Sequence, residues 1–337
     1  MNKKATIHDI AKKLNTTAAT VSRALNDNPR ISEKMKKRVL HAAKQIGYEP
    51  NQLASALRKG RTNVVGVIVP YIDRSFFSSA IRGIEEEVKK HGYNVMICQS
   101  SERVADEELN VETLMQAQVS GVILSLAGTA EGHLQRVLDQ GIPLVTFDRV
   151  ADQIQAHGVG VDDFQGTYLV TKHLLEQGYT RIAHFQGNQQ VNIYRERYRG
   201  YRTALEEAGQ VINEAWVLPA DSKIEEGRQA AERLMAMDMK VDAISSSSDF
   251  SALGAMQYCK SVGMRIPEEI GIAGFSNEPF TELLDPPMTT VSQNSQDMGA
   301  LAARVFLDEL DEDGVKTPKR VLLKPDLLIR ASTNRKN

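Results

Sequence analysis

The chain has 337 residues, of which 42% are hydrophobic, 25% charged and 6% aromatic; that is enough for two or three domains with a sizeable core, and too few rings for an aromatic-lined nucleic-acid surface. Its two cysteines, Cys98 and Cys259, each lie in an apolar run, which excludes a disulfide scaffold, reads both as buried small hydrophobes and suits a reducing compartment. The net charge of −2 hides an uneven distribution: residues 1–60 carry 13 Lys and Arg against 4 Asp and Glu, and the remainder carries 28 against 39, so a basic head that meets a polyanion sits on an acidic body.

In the head, Ile7, Ile10, Ala11 and Leu14 fall on one face of a helix. Thr6 before them and Asp9 three residues later make a capping-box-like start. Asn15 and Thr16 form a short break, and asparagine tolerates the left-handed backbone that such a break needs. A second short helix runs from about Thr17 to Leu25, with Val21, Ala24 and Leu25 inward and Ala18, Ala19, Ser22 and Arg23 outward. Asn28 and Pro29 break the chain. Ser32 caps a third helix that turns Met35, Val39, Ala42, Ala43 and Ile46 inward and stops at Gly47. Three short helices with a tight first break make a helix-turn-helix, whose second helix enters a DNA major groove. The Ala18 and Ala19 methyls suit a thymine methyl, and Arg23 suits guanine O6/N7 or a phosphate. The competing reading, a three-helix bundle packed on the rest of the protein, leaves the charge of the head unexplained.

Residues 50–61 read Pro-Asn-Gln-Leu-Ala-Ser-Ala-Leu-Arg-Lys-Gly-Arg. Asn51 is a good N-cap and Gly60 a good stop, but a helix of about eight residues does not persist alone in water. The segment is read as a linker that becomes helical when supported. Leu57 beside Arg58, Lys59 and Arg61 fits a wedge in a minor groove with cations on nearby phosphates. The alternative is a linker leucine packed on the neighbouring domain.

From residue 62 on, Val64–Val69, Val95–Gln99, Val122–Leu126 and Leu144–Phe147 read as buried parallel strands. Helical stretches near 76–91, 106–118 and 130–140 separate them. The rhythm returns with Arg181–Phe185, a helix near 196–208, Ala243–Ser246, a helix near 250–262, and Ile270–Phe275. This predicts an α/β core of two doubly wound parallel-sheet lobes. Ligands of such sheets bind beyond the carboxyl ends of the strands. There lie Tyr71 to Asp73, Ser125 and Asp148 in the first lobe, and Asp249, Phe250, Ser276 and Asn277 in the second. Strand-end polar residues also cap helices, so each position has that second explanation.

Several stretches together resemble a known family. Thr6-Ile7-His8-Asp9-Ile10-Ala11, Thr20-Val21-Ser22-Arg23-Ala24-Leu25-Asn26, Gly47-Tyr48-Glu49-Pro50-Asn51 and Leu57-Arg58 resemble the headpiece of the LacI/GalR repressors. Gly66-Val67-Ile68-Val69-Pro70, Arg197-Tyr198-Arg199-Gly200-Tyr201, Gly271-Ile272-Ala273-Gly274-Phe275 and Pro287-Met288-Thr289-Thr290-Val291 resemble that family's regulatory core, which is similar to periplasmic sugar-binding proteins of type I. The resemblance implies a headpiece over 1–50, a hinge over 51–61 and an effector-binding and dimerisation core over 62–337. Its lobes would be 62–161 with 294–320, and 162–293 with 321–332. It implies a homodimer on a near-palindromic DNA operator, kinked where paired hinge helices insert Leu57.

The DNA-contacting residues implied are Thr6, Thr17, Ala18, Ala19, Thr20, Ser22 and Arg23, followed by Asn26, Tyr48, Asn51, Leu57 and Arg58. For the effector, Arg197, Gln293 and Asp249 match pocket positions of the family, beside Tyr71, Asp73, Phe77, Ser125, Asp148, Phe250 and Ser276. Two departures stand out. The turn commonly carries Gly-Val, and here it is Asn15-Thr16. Many sugar-responsive relatives carry aspartate where this chain has Ser276, which directs the expectation from a neutral sugar towards a sugar phosphate or another anion. The chain ends seven residues after Arg330, without the leucine-rich tail of tetrameric relatives, and a dimer is expected.

Rival classes find less support. There is no G-x-G-x-x-G after a strand, no P-loop lysine motif, no zinc-like spacing among the histidines and no Ser-His-Asp or Cys-His arrangement. A regulator without catalysis, metal or cofactor is expected. A transport-type sugar-binding protein would need export. The apolar stretch of a signal peptide is missing, because His8, Asp9, Lys12 and Lys13 interrupt it. No apolar run reaches the ~18 residues that span a bilayer, so the expected location is the cytoplasm.

Overall fold

The structure, a computed structural model, describes residues 5–25, 27–48, 61–237, 241–311 and 317–335. Asn26, Asn51, Leu57 and Arg58, and with them the hinge reading, lie outside the described residues. Two compact units divide at Thr62 and Asn63.

The first unit is built from α1 (Ile7–Leu14), α2 (Ala18–Leu25) and α3 (Glu33–Gln45). At the start of α1 the Asp9 carboxylate accepts from the Thr6 N–H at 2.8 Å and from its hydroxyl at 2.7 Å. Asn15 closes α1 in the left-handed region, with φ 48° and ψ 54°. Thr17 precedes α2 and accepts the Thr20 N–H on its hydroxyl at 3.1 Å. Ser32 caps α3 by accepting from the Met35 N–H. Ile10, Ala11, Val21, Ala24, Val39, Ala42 and Ala43 form one buried cluster between the helices. Lys36 is drawn into this small unit and bonds Asp27 at 2.6 Å and Glu33 at 2.8 Å.

The second unit has two lobes. In the first, β1 (Val64–Val69), α4 (Ser75–Lys90), β2 (Asn94–Gln99), α5 (Val104–Gln116), β3 (Gly121–Leu124), α6 (Gly132–Asp139), β4 (Leu144–Phe147) and β5 (His157–Val161) alternate. The all-parallel sheet runs β2-β1-β3-β4-β5-β11, where β11 is Arg320–Leu323. Side-chain alternation sorts its two faces. Val65, Val67 and Val69 pack with α4 and with α11 (Ser295–Asp311), whereas Ile68 packs with Leu114 and Leu134 of α5 and α6.

The second lobe holds α7 (Asp163–Glu176), β6 (Ile182–Gln186), α8 (Asn192–Glu207), β7 (Val217–Pro219), α9 (Ile224–Met235), β8 (Ala243–Ser246), α10 (Asp249–Ser261) and β9 (Gly271–Ala273). Its parallel sheet runs β7-β6-β8-β9. Both sheets reverse their winding beside their first strand, between β1 and β3 and between β6 and β8. Such switch points open a crevice at the strand carboxyl ends. Glycines allow three helix pairs to touch backbone to backbone. A Cβ at Gly83 would overlap the Gln296 carbonyl between α4 and α11, one at Gly200 the Phe164 carbonyl between α8 and α7, and one at Gly254 the Ile224 carbonyl between α10 and α9.

Three crossings join the lobes. The chain leaves the first lobe after Val161, returns after β10 (Thr290–Ser292), and leaves again between β11 and β12 (Asp326–Leu328). The parallel β5–β11 pair brings Val161 beside Leu323, and the antiparallel β10–β12 pair brings Ser292 beside Asp326. The Asp162 N–H donates to the Leu323 carbonyl at 3.0 Å, and the Asn294 amide donates to Asp326 at 2.9 Å. The lobe boundary expected at 320/321 is corrected here: residues 321–323 belong to the first lobe, because β11 continues its sheet along β5.

Candidate functional site

On the headpiece, α2 presents Ala19 and Arg23 exposed, with Ala18, Thr20 and Ser22 half-buried. Thr6 and Thr17 are exposed beside it, and Thr17 shares a hydroxyl contact of 2.9 Å with Thr20. Tyr48 is half-buried against the three-helix core, and its N–H donates to the Ala43 carbonyl. Short side chains at 18 and 19 and the exposed Arg23 thus share one helix surface.

In the second unit, a cavity of about 210 Å³ lies between the lobes at both switch points. Tyr71 and Ala127 follow β1 and β3, and Asn188 and Ser248 follow β6 and β8. Of the residues expected from sequence, Tyr71, Phe77, Asp148, Arg197, Phe250, Ser276 and Gln293 line it. Three others are placed elsewhere. Asp73 is exposed on the approach to α4. Ser125 is fully buried behind Asp148, to which its hydroxyl donates at 3.1 Å. Asp249 is fully buried and accepts from the Thr290 hydroxyl at 2.6 Å and the Glu278 N–H at 2.8 Å. Asp249 thus braces the loop that bears Ser276 and Glu278, and its full burial keeps it off the cavity wall.

Arg197 forms the floor. It is 3% exposed. Its Nε donates to Asp163 at 2.7 Å, one terminal nitrogen donates to the Ser247 carbonyl at 2.7 Å, and the other reaches Gln293 at 3.4 Å. The guanidinium lies 3.8 Å over the Phe275 ring. Burial pushes the Asp163 carboxyl up to about 7, with Arg197 opposing. Gln293 donates in turn to the Ser276 hydroxyl at 2.9 Å, so Arg197, Gln293 and Ser276 form one connected wall.

Sequence reasoning missed Arg74, Glu102, Arg149, Tyr194, Asp221, Lys223 and Glu278, all of which line the cavity. Arg149 pairs with Glu102 at 2.7 Å, Lys223 with Glu226 at 2.8 Å and Arg197 with Asp163. Among the described residues, Asp148, Asp221 and Glu278 have no cation within ion-pair distance, and Arg74 has no carboxylate. Asp148 and Asp221 are both raised from the usual aspartate range, chiefly by burial. Glu278, two residues after Ser276, is a carboxylate of the same lining.

Over residues 6–51 the chain matches the family described as bacterial regulatory proteins, lacI family. Over residues 62–330 it matches periplasmic binding proteins and sugar binding domain of LacI family. The chain belongs to the LacI family. This LacI-family chain is 32% identical to the ribose operon repressor of Halalkalibacterium halodurans over 97% of each chain. It is 31% identical to the HTH-type transcriptional repressor CytR of Escherichia coli, over 98% of this chain and 96% of that one. A structure of the transcriptional regulator CelR in complex with cellobiose is 27% identical, with a TM-score of 0.75 over 98% of this chain and all of that one. The lac repressor dimer bound to operator and the anti-inducer ONPF, 24% identical, shares the fold with a TM-score of 0.84 over 98% and 99% of the two chains. The chain is a DNA-binding transcriptional regulator of repressor type with a sugar-binding domain, and these relatives are regulators, not enzymes. No helix among the described residues is long and apolar enough to cross a membrane.

One consequence for this LacI-family core concerns pH. Burial pushes the Asp249 carboxyl up to about 7, against about 3.9 in an unfolded chain. The native state therefore keeps a proton that the unfolded state loses between those values, and stability is lost as pH rises through 7. Thermal unfolding of the wild type at pH 5.5 and pH 8 is expected to show the lower midpoint at pH 8. Asp249→Asn should reduce that slope; an unaltered slope in the variant would contradict the assignment.

Proposed function

We propose that this protein is a cytoplasmic homodimeric repressor that binds a near-palindromic operator and changes its DNA affinity when a neutral, polyhydroxylated small molecule fills the inter-lobe cleft. The observation that carries this is one chain holding both an exposed α2 face with Arg23 beside small side chains and a cleft floored by Arg197 at two switch points. Ring faces of Tyr71, Phe77 and Phe250 beside charged hydrogen-bonding groups suit the apolar faces and hydroxyls of a sugar. The names of the ribose operon repressor and of the CelR–cellobiose complex support the same class.

The homodimer reading draws support from the edge strand β2, which leaves Met96 and Ile97 exposed, and from the exposed Ile72, whose N–H donates to Gln99 at the end of that strand. A free apolar edge is a surface that proteins cover. In the dimer, residues 51–61 act as the hinge, with Leu57 at the central DNA step. Phosphate contacts come from the basic head, and base reading from Ala18, Ala19 and Arg23.

The test is selection of duplexes from a random pool by the purified full-length protein, with sedimentation to give its stoichiometry. Enrichment of a two-fold symmetric site bound by two chains is expected. Recovery of no sequence above random competitor at moderate salt would overturn the reading. Thermal shift with D-ribose, cellobiose and their phosphates tests the effector, and the uncharged members are expected to stabilise more.

A further inference from the structure

We propose that Glu278 of the second lobe, bonded to the side chain of Ser75 at the start of helix α4 in the first lobe, forms with it a clasp that sets how far the cleft closes. The first turn of any helix leaves N–H groups without intrahelical partners and carries partial positive charge. Helix α4 begins at Ser75, and its N-cap residue, Arg74, makes no side-chain cap. Instead the Ser75 hydroxyl donates to the Glu278 Oε2 across the cleft. Glu278 is 5% exposed, and its other carboxylate oxygen accepts no hydrogen bond among the described residues.

Both ends of the contact are rigidly held. The Glu278 N–H donates to Asp249 at 2.8 Å, and the Thr281 hydroxyl donates to the Glu278 carbonyl at 2.7 Å. Helix α4 is locked to α11 at Gly83 and Gly299, where a Cβ would overlap the Gln296 and Ala80 carbonyls. Arg74, next in the chain, crosses the same gap: it donates to the Ser222 carbonyl at 3.3 Å and lies 3.8 Å over the Phe250 ring. By contrast, the cross-cleft pair Arg195–Asp152 is 3.7 Å apart and half-exposed, a geometry that contributes little. A further cross-cleft bond runs from the Asn192 amide to the Val150 carbonyl at 3.1 Å. An acid held on one lobe and a helix start held on the other thus meet across the cleft, and opening the cleft would part them. The consequence for ligands rests on the effector reading above: a molecule filling the cleft favours the clasped form, and loss of the clasp weakens its binding.

The clasp itself is tested without ligand, by amide hydrogen exchange of the full-length protein. In the wild type the first turn of α4, residues 75–78, is expected to be protected. Glu278→Ala should speed exchange there about fivefold, the scale of one lost hydrogen bond that anchors the turn, although the substitution is in the other lobe. Ser75→Ala should do the same, and the double variant should go no further than either single one. Should Glu278→Ala fail to fold, Glu278→Gln keeps the shape and removes the charge, and a smaller rise at the same amides is expected. Unchanged exchange in α4, or two effects that multiply, would overturn the clasp. If the exchange results hold and no sugar or sugar phosphate shifts the wild-type melting point, it is the effector reading that fails.

Discussion

Raising salt from about 50 to about 200 mM is expected to weaken operator binding by the full-length protein by about a thousandfold or more. Residues 1–60 carry 13 cations against 4 carboxylates. Lys36 is neutralised by Asp27 and Glu33, but Lys12, Lys13, Arg23, Arg30, Lys34, Lys37, Arg38 and Lys44 are exposed. Two copies on one duplex would place enough of them on phosphates to release six or more counterions, the range in which such losses occur. Because Ala18 and Ala19 carry no hydrogen-bonding groups, phosphate contacts are expected to dominate the binding energy. Arg23→Ala should lower affinity for the selected site; if the loss is confined to one base position, Arg23 reads a guanine, and if it is uniform across sequences with a shallower salt slope, Arg23 holds a phosphate. A nearly flat dependence on salt in a filter or anisotropy titration would be incompatible with the proposed interface.

Arg197→Ala is expected to remove the thermal shift produced by any effector and to cost the core about 3–5 kcal/mol. The guanidinium is nearly inaccessible, bonds Asp163, Ser247 and Gln293, and stacks on Phe275. Its removal strands Asp163 in a site where burial already pushes the carboxyl up to about 7. The remaining acid then takes up a proton, and stability of the variant should fall further as pH rises. Replacing both partners, Arg197→Met with Asp163→Asn, should recover much of the loss, since no charge remains unpaired. Calorimetry of the two variants decides this: a double variant less stable than Arg197→Ala would show that the pair is not the source of the penalty.

Much of the fold could be read before the structure because its strongest signals are local. Continuous apolar runs mark parallel strands, and Val64–Val69 and Ala243–Ser246 agree residue for residue with β1 and β8. Asn15 announced a left-handed break and adopts one. The elements passed over have weak local patterns. Strand β5 reads His-Gly-Val-Gly-Val, and its burial comes from lying between β4 and β11. Helix α7 carries Gly166 because the Phe275 ring occupies the space of a side chain there, and that lowers its helical signal.

The cavity was legible only in part, for a related reason. Strand order marks which residues end a sheet, and Tyr71, Asp148, Phe250 and Ser276 followed from it. It does not say which way an end residue turns: Asp249 and Ser125 stand at strand ends, yet their partners are Thr290, Glu278 and Asp148. Arg74 and Glu278 belong to loops whose position is decided by the opposite lobe, and no spacing within either lobe encodes that.

The three crossings have a mechanical outcome. Because β5 pairs with β11 and β10 with β12, the tethers run shoulder to shoulder and are laced by the bonds from Asp162 to Leu323 and from Asn294 to Asp326. Pro325 fixes φ within the third. Sliding or twisting one half past the other would stretch those lateral bonds, whereas bending about the line through all three leaves them intact. The halves are thus coupled like leaves on a single pin, and whatever enters the cleft can be reported as one angle.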